Sequence, residues 1–436
     1  MFDTAKKMFT VKDIRKKILY TLFIILLFRI GTYVTVPGVN KSAFIEAVKS
    51  QTSGILGTIN IISGGAFNRL SIFAMTISPY ITASIVLNLL QTVIPSLERL
   101  AKEGETGRQK LGKYTKYLTV VFAIVEAIGL YFNYKVYIVS SMSYGIARVM
   151  GMIIFVACLT AGTALLMWLA DKITENGVGN GVSMIIFVGI VSGIPGAVSS
   201  LTAFAAIRKL NILVVIGVIV AFVILLAGVI YVQQAERRIP VNYAKRVVGR
   251  KMYGGQNTHI PLKVAMAGVM PIIFAMSFMM IPATIIQLVT KGAATGFWGA
   301  VLKICSASTD NIWYLVGYAV IYMLLIVAFT FVYTMFTVNP VEMSNQLKQN
   351  GGFIPGIRAG KNTADYINKV LKNITWAGAV FLAVVAIIPV VAQAAMPSIS
   401  ISFGGTSILI VVSVALETLK VIESQMVSRH YDGFLD

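Results

Sequence analysis

Long runs of apolar residues, separated by polar or Gly- and Pro-rich segments, repeat along the whole chain. Each run is about 18 residues or longer, enough to cross roughly 30 Å of hydrocarbon as a helix. Because the runs are continuous and do not alternate apolar with polar positions, they predict helices and not the strands of a barrel. We predict about ten membrane spans, at residues 18–36, 71–91, 118–138, 149–170, 181–199, 211–233, 262–290, 312–334, 374–392 and 405–422.

The composition agrees with a protein that crosses the membrane many times. Of the 436 residues, 57% are hydrophobic and 12% are charged, whereas a soluble domain carries about 25% charged residues. The first apolar run follows a basic segment, as in a secretory signal, but no small-x-small cleavage site comes after it, so we interpret 18–36 as a retained span. Cys158 and Cys305, like His259 and His430, are scattered and predict neither a disulfide nor a metal site.

Lysine and arginine are distributed unequally between the two sets of loops. With ten spans both termini lie on one side, and 27 of the 37 Lys and Arg residues fall in the tails and loops of that side, against 9 in the opposite loops. The positive-inside rule therefore places the N-tail, residues 1–17, and the C-tail, residues 423–436, in the cytoplasm.

Two cytoplasmic loops, at 234–263 and 335–373, are longer than orientation alone requires. In the first, basic residues alternate with apolar ones, a pattern that suits a hairpin-like finger. The charge either contacts anionic lipid headgroups or docks on a polyanion, such as ribosomal RNA, or on an acidic protein surface. The basic residues are Arg237, Arg238, Lys245, Arg246, Arg250 and Lys251.

The second loop contains the stretch GGFIPGIRAG at 351–360. It is too rich in Gly and Pro for a helix and too apolar for an ordinary solvated linker. Its single charge is Arg358, which either is held out for a partner or simply adds to the positive charge on the inner side.

Three segments near the membrane are irregular. Residues 53–69 are apolar, Gly-rich and too short to cross, which fits a re-entrant half-helix at a cavity. Span two contains Ser78-Pro79-Tyr80, and span seven contains Met270-Pro271 and Ile281-Pro282. Prolines are tolerated in membrane helices, but these lie at the second span of each five-span half, as inverted repeats around a central pathway would require.

Few ionisable residues occur within the predicted spans. A proton- or sodium-coupled transporter keeps a relay of such residues there, and Arg29, Glu126 and Glu417 do not form one. Bulky aliphatic residues lie beside the prolines instead, and a narrow aliphatic constriction gates by dewetting while giving a small solute nothing to bind. This favours a pore for varied cargo. The alternatives are a ten-span secondary transporter and a scramblase-like lipid groove, which predict a polar site or a polar stripe.

Seven stretches of the chain together resemble one family. The chain is similar to the SecY family, the large channel-forming subunits of the bacterial protein translocase, over essentially its full length. The stretches are FRIGTYVTVPGVN (28–40), SGGAFNRLSIFAMTISPYITASIVLNLLQ (63–91), EGETGRQKLGKYTKY (103–117), ENGVGNGVSMIIF (175–187), AGVMPIIFAMSFMMIPATI (267–285), NPVEMSNQLKQNGGFIPGIRAGKNTADYI (339–367) and GGTSILIVVSVALE (404–417).

The resemblance implies an all-α polytopic membrane protein. About ten transmembrane helices would form two pseudo-symmetric five-helix halves, 18–199 and 211–422, around a central hourglass pore with a re-entrant plug. An external hinge at 200–210 would join the halves. The implied function is to pass unfolded secretory polypeptides across the plasma membrane and to release transmembrane segments laterally into lipid.

The resemblance also implies roles for individual residues. The pore ring would consist of Ile77, Ile81, Ile186, Ile273 and Ile410, with Val182 as a sixth candidate. The plug, at 54–68, would include Ile55, Leu56, Ile59, Ile61, Ile62, Gly64 and Gly65. The lateral gate would consist of Pro79, Thr82, Ser84 and Asn88 on span two and Pro271, Ser277, Ile281 and Pro282 on span seven. Ile281 departs from the family, in which an aromatic residue is common at this position.

Partners follow from the same resemblance. SecE and SecG would be membrane subunits of the channel, and SecDF and a YidC-type insertase would associate with it. The SecA ATPase or the ribosome, through its RNA and proteins, would dock on the basic residues of the first loop and on Arg358. Signal sequences, nascent chains and anionic lipids are further partners that the resemblance implies. No cofactor or catalytic residue is expected, and no phosphate-binding Gly-rich loop ending in GK[ST] occurs in the sequence.

Overall fold

The computed structural model describes residues 11–49, 60, 63–134, 137, 145–207, 212–243, 246–248, 251–253, 257–290, 296–305, 312–395 and 405–432. Helices dominate this part of the chain. They are α1 (Lys12–Gly31), α2 (Lys41–Lys49), α3 (Ser78–Val93), α4 (Pro95–Lys102), α5 (Glu105–Tyr134), α6 (Gly145–Asn176), α7 (Gly181–Ile207), α8 (Ile212–Gln234), α9 (Met270–Thr290), α10 (Gly296–Cys305), α11 (Ile312–Thr337), α12 (Pro340–Gln349), α13 (Lys361–Ala395) and α14 (Gly405–Asp432).

Each of the ten predicted spans coincides largely with one helix. The helices are α1, α3, α5, α6, α7, α8, α9, α11, α13 and α14. In the described residues, α5, α6, α11 and α13 are each long and apolar enough to cross a membrane, and α3 with α4, which meet at 101°, would add a fifth span. Shorter apolar helical stretches occur at Gly181–Gly196, Val220–Gln234, Met270–Ala283 and Gly296–Cys305.

Spans two and seven begin later than predicted. Residues 71–77 form turns and α3 begins at Ser78, so that Pro79 occupies its first turn and does not interrupt a helix. Pro271 is likewise the second residue of α9, while Pro282 lies inside it. The irregular backbone predicted for spans two and seven therefore lies directly before α3 and α9. Proline is favoured in a first turn because the amide hydrogen that it lacks has no intrahelical partner there.

The chain divides into two compact units. The first comprises Met1–Val215, Met276–Ala319 and Pro389–Asp436, and the second comprises Ile216–Ala275 and Val320–Ile388. In the first unit, α3 packs against α5, α5 against α6, α6 against α7, and α14 against α7. The helices approach closely where glycine removes a side chain: a Cβ on Gly162 of α6 would overlap the carbonyl oxygen of Ile72. The predicted division into two five-span halves stays a prediction.

The second unit contains a three-stranded antiparallel sheet. Strand β1 (Glu236–Tyr243) lies in the middle, between β4 (Asn257–Lys263) and β5 (Gly352–Phe353). Strands β1 and β4 form the finger that the sequence predicts for the first cytoplasmic loop, with Ile239 opposite Ile260. Two further strands, β2 (Arg246–Val248) and β3 (Lys251–Tyr253), pair with each other near its tip. The all-helical description therefore holds for the spans and not for this loop.

Candidate functional site: an aliphatic membrane pathway and a cytoplasmic docking surface

Two of the predicted ring residues lie at the beginning of α3. Ile77 is the residue that precedes the helix, and its carbonyl oxygen accepts a hydrogen bond from the amide of Ile81, at 3.0 Å. Ile77 is 2% exposed and Ile81 is half-buried, and both belong to the apolar cluster that includes Val182 of α7. The structure therefore places these three side chains in one aliphatic environment.

The other ring residues are also buried. Ile186 on α7 is 5% exposed and Ile410 on α14 is 2% exposed, and these two helices pack against each other. Ile273 on α9 is 9% exposed and belongs to the second unit. Each of these positions therefore offers an aliphatic side chain within packed protein.

The backbone that leads into α3 is strained, which the sequence did not indicate. Leu70 and Thr76 have φ angles of 45° and 55°, in a region that is a genuine outlier for a β-branched residue such as threonine. Thr76 is partly compensated, because its hydroxyl oxygen accepts a hydrogen bond from the amide of Ser78, at 3.3 Å. Strain of this kind is retained where the surrounding structure determines the geometry, and here it directly precedes Ile77.

The predicted plug is described in part. Ile55, Leu56, Ile59, Ile61 and Ile62 lie outside the described residues, so the predicted half-helix is not described. Residues 63–70 form turns, in which Gly64 and Gly65 have φ angles of 62° and 84°. Only glycine adopts such angles without steric cost, so the Gly-Gly pair permits the tight turns at residues 63–70.

The predicted gate residues lie on α3 and α9. On α3, Pro79 is buried, Thr82 is 6% exposed, and Ser84 and Asn88 are half-buried. On α9, Pro271 and Ser277 are buried, Pro282 is half-buried, and Ile281 is 36% exposed. The polar residues of the predicted gate are therefore buried or half-buried, while Ile281 is exposed.

Ionisable groups on α5 have polar partners. Glu126 of α5 accepts a hydrogen bond from the hydroxyl of Ser78, at 3.3 Å, at the beginning of α3. Lys116 of α5 forms an ion pair with Asp171 of α6. Among the residues that the structure describes, no three His, Cys, Asp or Glu side chains are placed to hold a metal ion.

The two long basic loops form one body, which the sequence did not predict. Strand β5, from the second loop, pairs with β1, from the first, with Asn242 opposite Phe353. Beneath the sheet lies a shared apolar core, which includes Ile239 and Leu262 from the first loop and Leu347, Ile354, Ile367 and Leu371 from the second loop and the start of α13. This body, which we call the cytoplasmic module (236–263 and 340–371) after the side that the sequence predicts for its loops, is thus held by a hydrophobic core.

The stretch GGFIPGIRAG is fixed within the cytoplasmic module. Ile354 is 3% exposed and anchors the loop in the core, and the amide of Ile357 donates to its carbonyl oxygen, at 3.0 Å. The hydroxyl of Ser344 donates to the carbonyl oxygen of Gly360, at 2.7 Å, and that of Thr363 to the carbonyl oxygen of Arg358, at 2.9 Å. The Arg358 side chain is exposed, so a fixed backbone presents a free-standing guanidinium group.

The remaining basic residues of the first loop are placed unequally. Arg237 and Arg238 are exposed on β1, and Arg238 donates to the carboxylate of Glu236, at 2.7 Å. The backbones of Arg246 and Lys251 lie in β2 and β3. Lys245 and Arg250 lie outside the described residues. The Glu236 carboxylate therefore neutralises part of the positive charge that the count of basic residues assigned to this surface.

Comparisons with known proteins agree with this geometry. A family model described as SecY matches residues 71–419. The protein translocase subunit SecY of Halalkalibacterium halodurans is 44% identical over 448 residues, covering 100% of both chains. The fold matches a SecY protein whose plug domain is described as stabilising the closed state of the translocation channel (TM-score 0.66, 19% identity, 95% of this chain and 93% of that chain). It also matches a chain of the canine ribosome–channel complex from the endoplasmic reticulum (TM-score 0.64, 17% identity, 95% and 93%).

These matches confirm the predicted helical membrane fold and the predicted function of a protein-conducting channel subunit. They give no support to the alternative of a secondary transporter. The identity extends over the full length of the curated relative, and the family model covers most of the chain. The chain belongs to the SecY family of protein translocase subunits.

Proposed function

We propose that the five isoleucines at 77, 81, 186, 273 and 410 form the waist of a pore for unfolded secretory polypeptides. The observation that carries the proposal is the apolar cluster that contains Ile77, Ile81 and Val182. Such side chains exclude water and ions yet give a small solute no polar group to bind. ATP-driven uptake of a secretory precursor into liposomes that contain the chain tests this function.

The plug and the lateral gate are part of the same proposal. Residues 54–68 block the external side of the ring in the resting state. Helices α3 and α9 separate to let signal sequences and nascent transmembrane segments reach lipid. The exposure of Ile281 on α9 supports a surface that a hydrophobic segment contacts. An apolar side chain that faces lipid can replace contacts with lipid tails by contacts with another apolar segment at little cost in free energy.

Paired cysteines at the gate are expected to lock the channel. If α3 and α9 face each other at Thr82 and Ile281, Thr82→Cys with Ile281→Cys forms a disulfide on oxidation, which needs Cα atoms within about 7 Å. Oxidised channels then stop translocating, and reduction restores transport, because the helices cannot part while they are bonded. Gel mobility of the cross-linked chain and precursor uptake by the same sample measure the two effects.

The background for this experiment follows from the structure. Cys158 and Cys305 are free thiols, so the pair is placed in a Cys158→Ala, Cys305→Ala chain that first has to transport normally. Each single cysteine variant serves as the control. A pair that never cross-links, or that cross-links with no effect on transport, would place the gate elsewhere.

The cytoplasmic module is proposed as the docking surface for a partner that supplies energy. The partner is the SecA ATPase during secretion or the ribosome, through its RNA and proteins, during cotranslational insertion. The proposal is supported by the exposed Arg237 and Arg358 on one packed body. A guanidinium group on a fixed backbone is a preorganised fork for a carboxylate or phosphate, so different partners share one anchor.

The remaining assignments belong to the same proposal. SecE and SecG are smaller subunits of the channel, and SecDF and a YidC-type insertase associate with it. The chain lies in the bacterial plasma membrane, with both termini in the cytoplasm and its basic loops near anionic lipids. It provides a pathway and no catalytic groups, so translation or the ATPase drives transport.

A further inference from the structure

Residues 63–71, which precede α3, form a compact turn. Its amide hydrogens are bonded almost entirely within the turn, mainly to the backbone and side-chain oxygens of Asn60 and Ser63. The bonds join the amide of Gly65 to the Asn60 carbonyl, Phe67 to the Ser63 hydroxyl, Asn68 to the Asn60 side chain, Leu70 to the Phe67 carbonyl and Ser71 to the Ala66 carbonyl. These bonds fix the shape of the turn, and its far end is joined to the chain after α1, where the amide of Val36 donates to the Leu70 carbonyl oxygen, at 3.0 Å, and Thr35 pairs with Ser71.

Arg29 supplies a connection to the spans. It lies in the last turn of α1, and its Nη1 atom donates to the carbonyl oxygen of Gly64, at 3.1 Å, and to the hydroxyl oxygen of Ser192 on α7, at 2.9 Å. Ser192 in turn donates to the carbonyl oxygen of Gly189, at 2.7 Å. One guanidinium nitrogen therefore joins the turn to two helices of the first unit.

Gly64 allows this approach for two independent reasons. Its φ angle is 62°, which an L side chain rarely adopts. A Cβ at this position would also lie 2.6 Å from the Ser192 hydroxyl and 2.7 Å from Arg29 Nη1. Any side chain at position 64 would therefore force the connection apart.

The position of Arg29 favours a strong connection. A cation in the last turn of a helix interacts favourably with the helix dipole, and the hydroxyl of Thr32 donates to the Arg29 carbonyl oxygen, at 2.7 Å, which closes this helix end. The Arg29 guanidinium is half-buried and lies 5.9 Å from the Tyr33 ring centroid. Hydrogen bonds from a charged donor are about twice as strong as neutral ones in such surroundings.

We propose that Arg29 is a positioning residue that holds the base of the plug against α1 and α7 and so biases the channel toward its closed state. The inference rests on the proposed function of residues 54–68 as a plug. Movement of the plug then requires the bond from Arg29 to Gly64 to break, while the bond to Ser192 keeps the guanidinium in place. Replacing the guanidinium shifts the equilibrium toward the open state without touching the aliphatic ring.

Hydrogen exchange of the purified chain, together with SecE in lipid nanodiscs, tests the anchor directly. Arg29→Gln is expected to speed exchange of the amides of residues 65–71 by roughly tenfold to a hundredfold, the change that corresponds to losing one charge-assisted hydrogen bond. Arg29→Lys, which keeps the charge and part of the reach, restores some of the protection. Lys303→Gln changes an exposed cation on α10 that lies beside the Tyr314 ring of α11; it is the matched control and is expected to leave the exchange unchanged.

Function is measured on the same variants. Arg29→Gln and Gly64→Ala are expected to raise resting ion conductance several-fold in planar bilayers and to admit precursors with defective signal sequences, with partial reversal in Arg29→Lys. Unchanged exchange at residues 65–71 in a folded Arg29→Gln chain would overturn the anchor. Faster exchange with normal conductance and normal signal discrimination would overturn its role in gating.

The two measurements separate this inference from the proposed function. Exchange is recorded without precursor, ATP or SecA, so its result does not depend on transport. If the wild-type chain fails to transport precursors, the proposed function fails whatever the exchange of residues 65–71 shows.

Discussion

Arg358→Glu is expected to abolish SecA-driven translocation while leaving the chain folded and inserted. The side chain is exposed on a loop whose backbone is fixed by Ile354, Ser344 and Thr363, so the substitution removes a contact without disturbing the core. Losing one charge-assisted contact at an interface and gaining a repulsive charge costs about 2–5 kcal/mol of binding free energy. Uptake of a precursor by liposomes with SecE, SecA and ATP measures the loss.

Two control variants sharpen this experiment. Lys369→Glu reverses an exposed charge on α13, outside the stretch 351–360 that carries Arg358, and is expected to retain most of the uptake, because screening weakens charges that make no direct contact. Arg358→Lys keeps the charge but not the planar guanidinium group, so we expect its precursor uptake to fall between that of Lys369→Glu and that of Arg358→Glu. Normal precursor uptake by a folded Arg358→Glu channel would show that Arg358 does not anchor the motor.

Ile410→Asn is expected to open the resting channel to ions. A closed aliphatic ring holds no water because its side chains offer no hydrogen bonds, and one amide in the ring supplies a donor and an acceptor that hydrate it. The substitution also weakens the packing that favours the closed state, so less binding free energy from a signal sequence is needed to open it. Conductance in planar bilayers rises, and precursors with defective signal sequences are transported. Ile273→Gly is expected to act in the same direction.

Val412→Asn is the matched control for this prediction. Val412 lies two residues from Ile410 on α14 and is 6% exposed, against 2% for Ile410, so both variants bury a polar amide in the same helix. Conductance is expected to rise much less in Val412→Asn, because only Ile410 belongs to the ring. An Ile410→Asn channel that is folded, conducts no more than wild type and keeps full signal-sequence discrimination would contradict the proposal that these isoleucines seal the resting channel.

The spans were predictable from the sequence because their signal is local. A continuous apolar run of bilayer length leaves a helix as the structure that satisfies its backbone, and each predicted run lies largely in one helix. The beginning of span two was not predictable in this way. Residues 71–77 are as apolar as the helix that follows, and the turns that replace the helix depend on tertiary contacts such as the close approach of Gly162 to Ile72.

For the membrane part of the candidate site, the sequence indicated aliphatic residues beside Pro79, and the structure places Ile77 and Ile81 in one apolar cluster. Their assignment to a pore ring stays a prediction. The pairing of β1 with β5 was not visible, because it joins residues of two loops that are far apart in the sequence. The bonds from Arg29 to Gly64 and Ser192 were missed for the same reason, because hydropathy alone gives Arg29 no partner.

One measurement tests the central claim most directly. The purified chain is reconstituted with SecE in liposomes, SecA and ATP are added outside, and a secretory precursor is scored for protection from external protease. The account predicts ATP-dependent protection of the wild-type sample and none in the Arg358→Glu sample. Liposomes in which a folded, correctly oriented chain with SecE gives no ATP-dependent protection of the precursor would contradict the claim that this chain conducts protein.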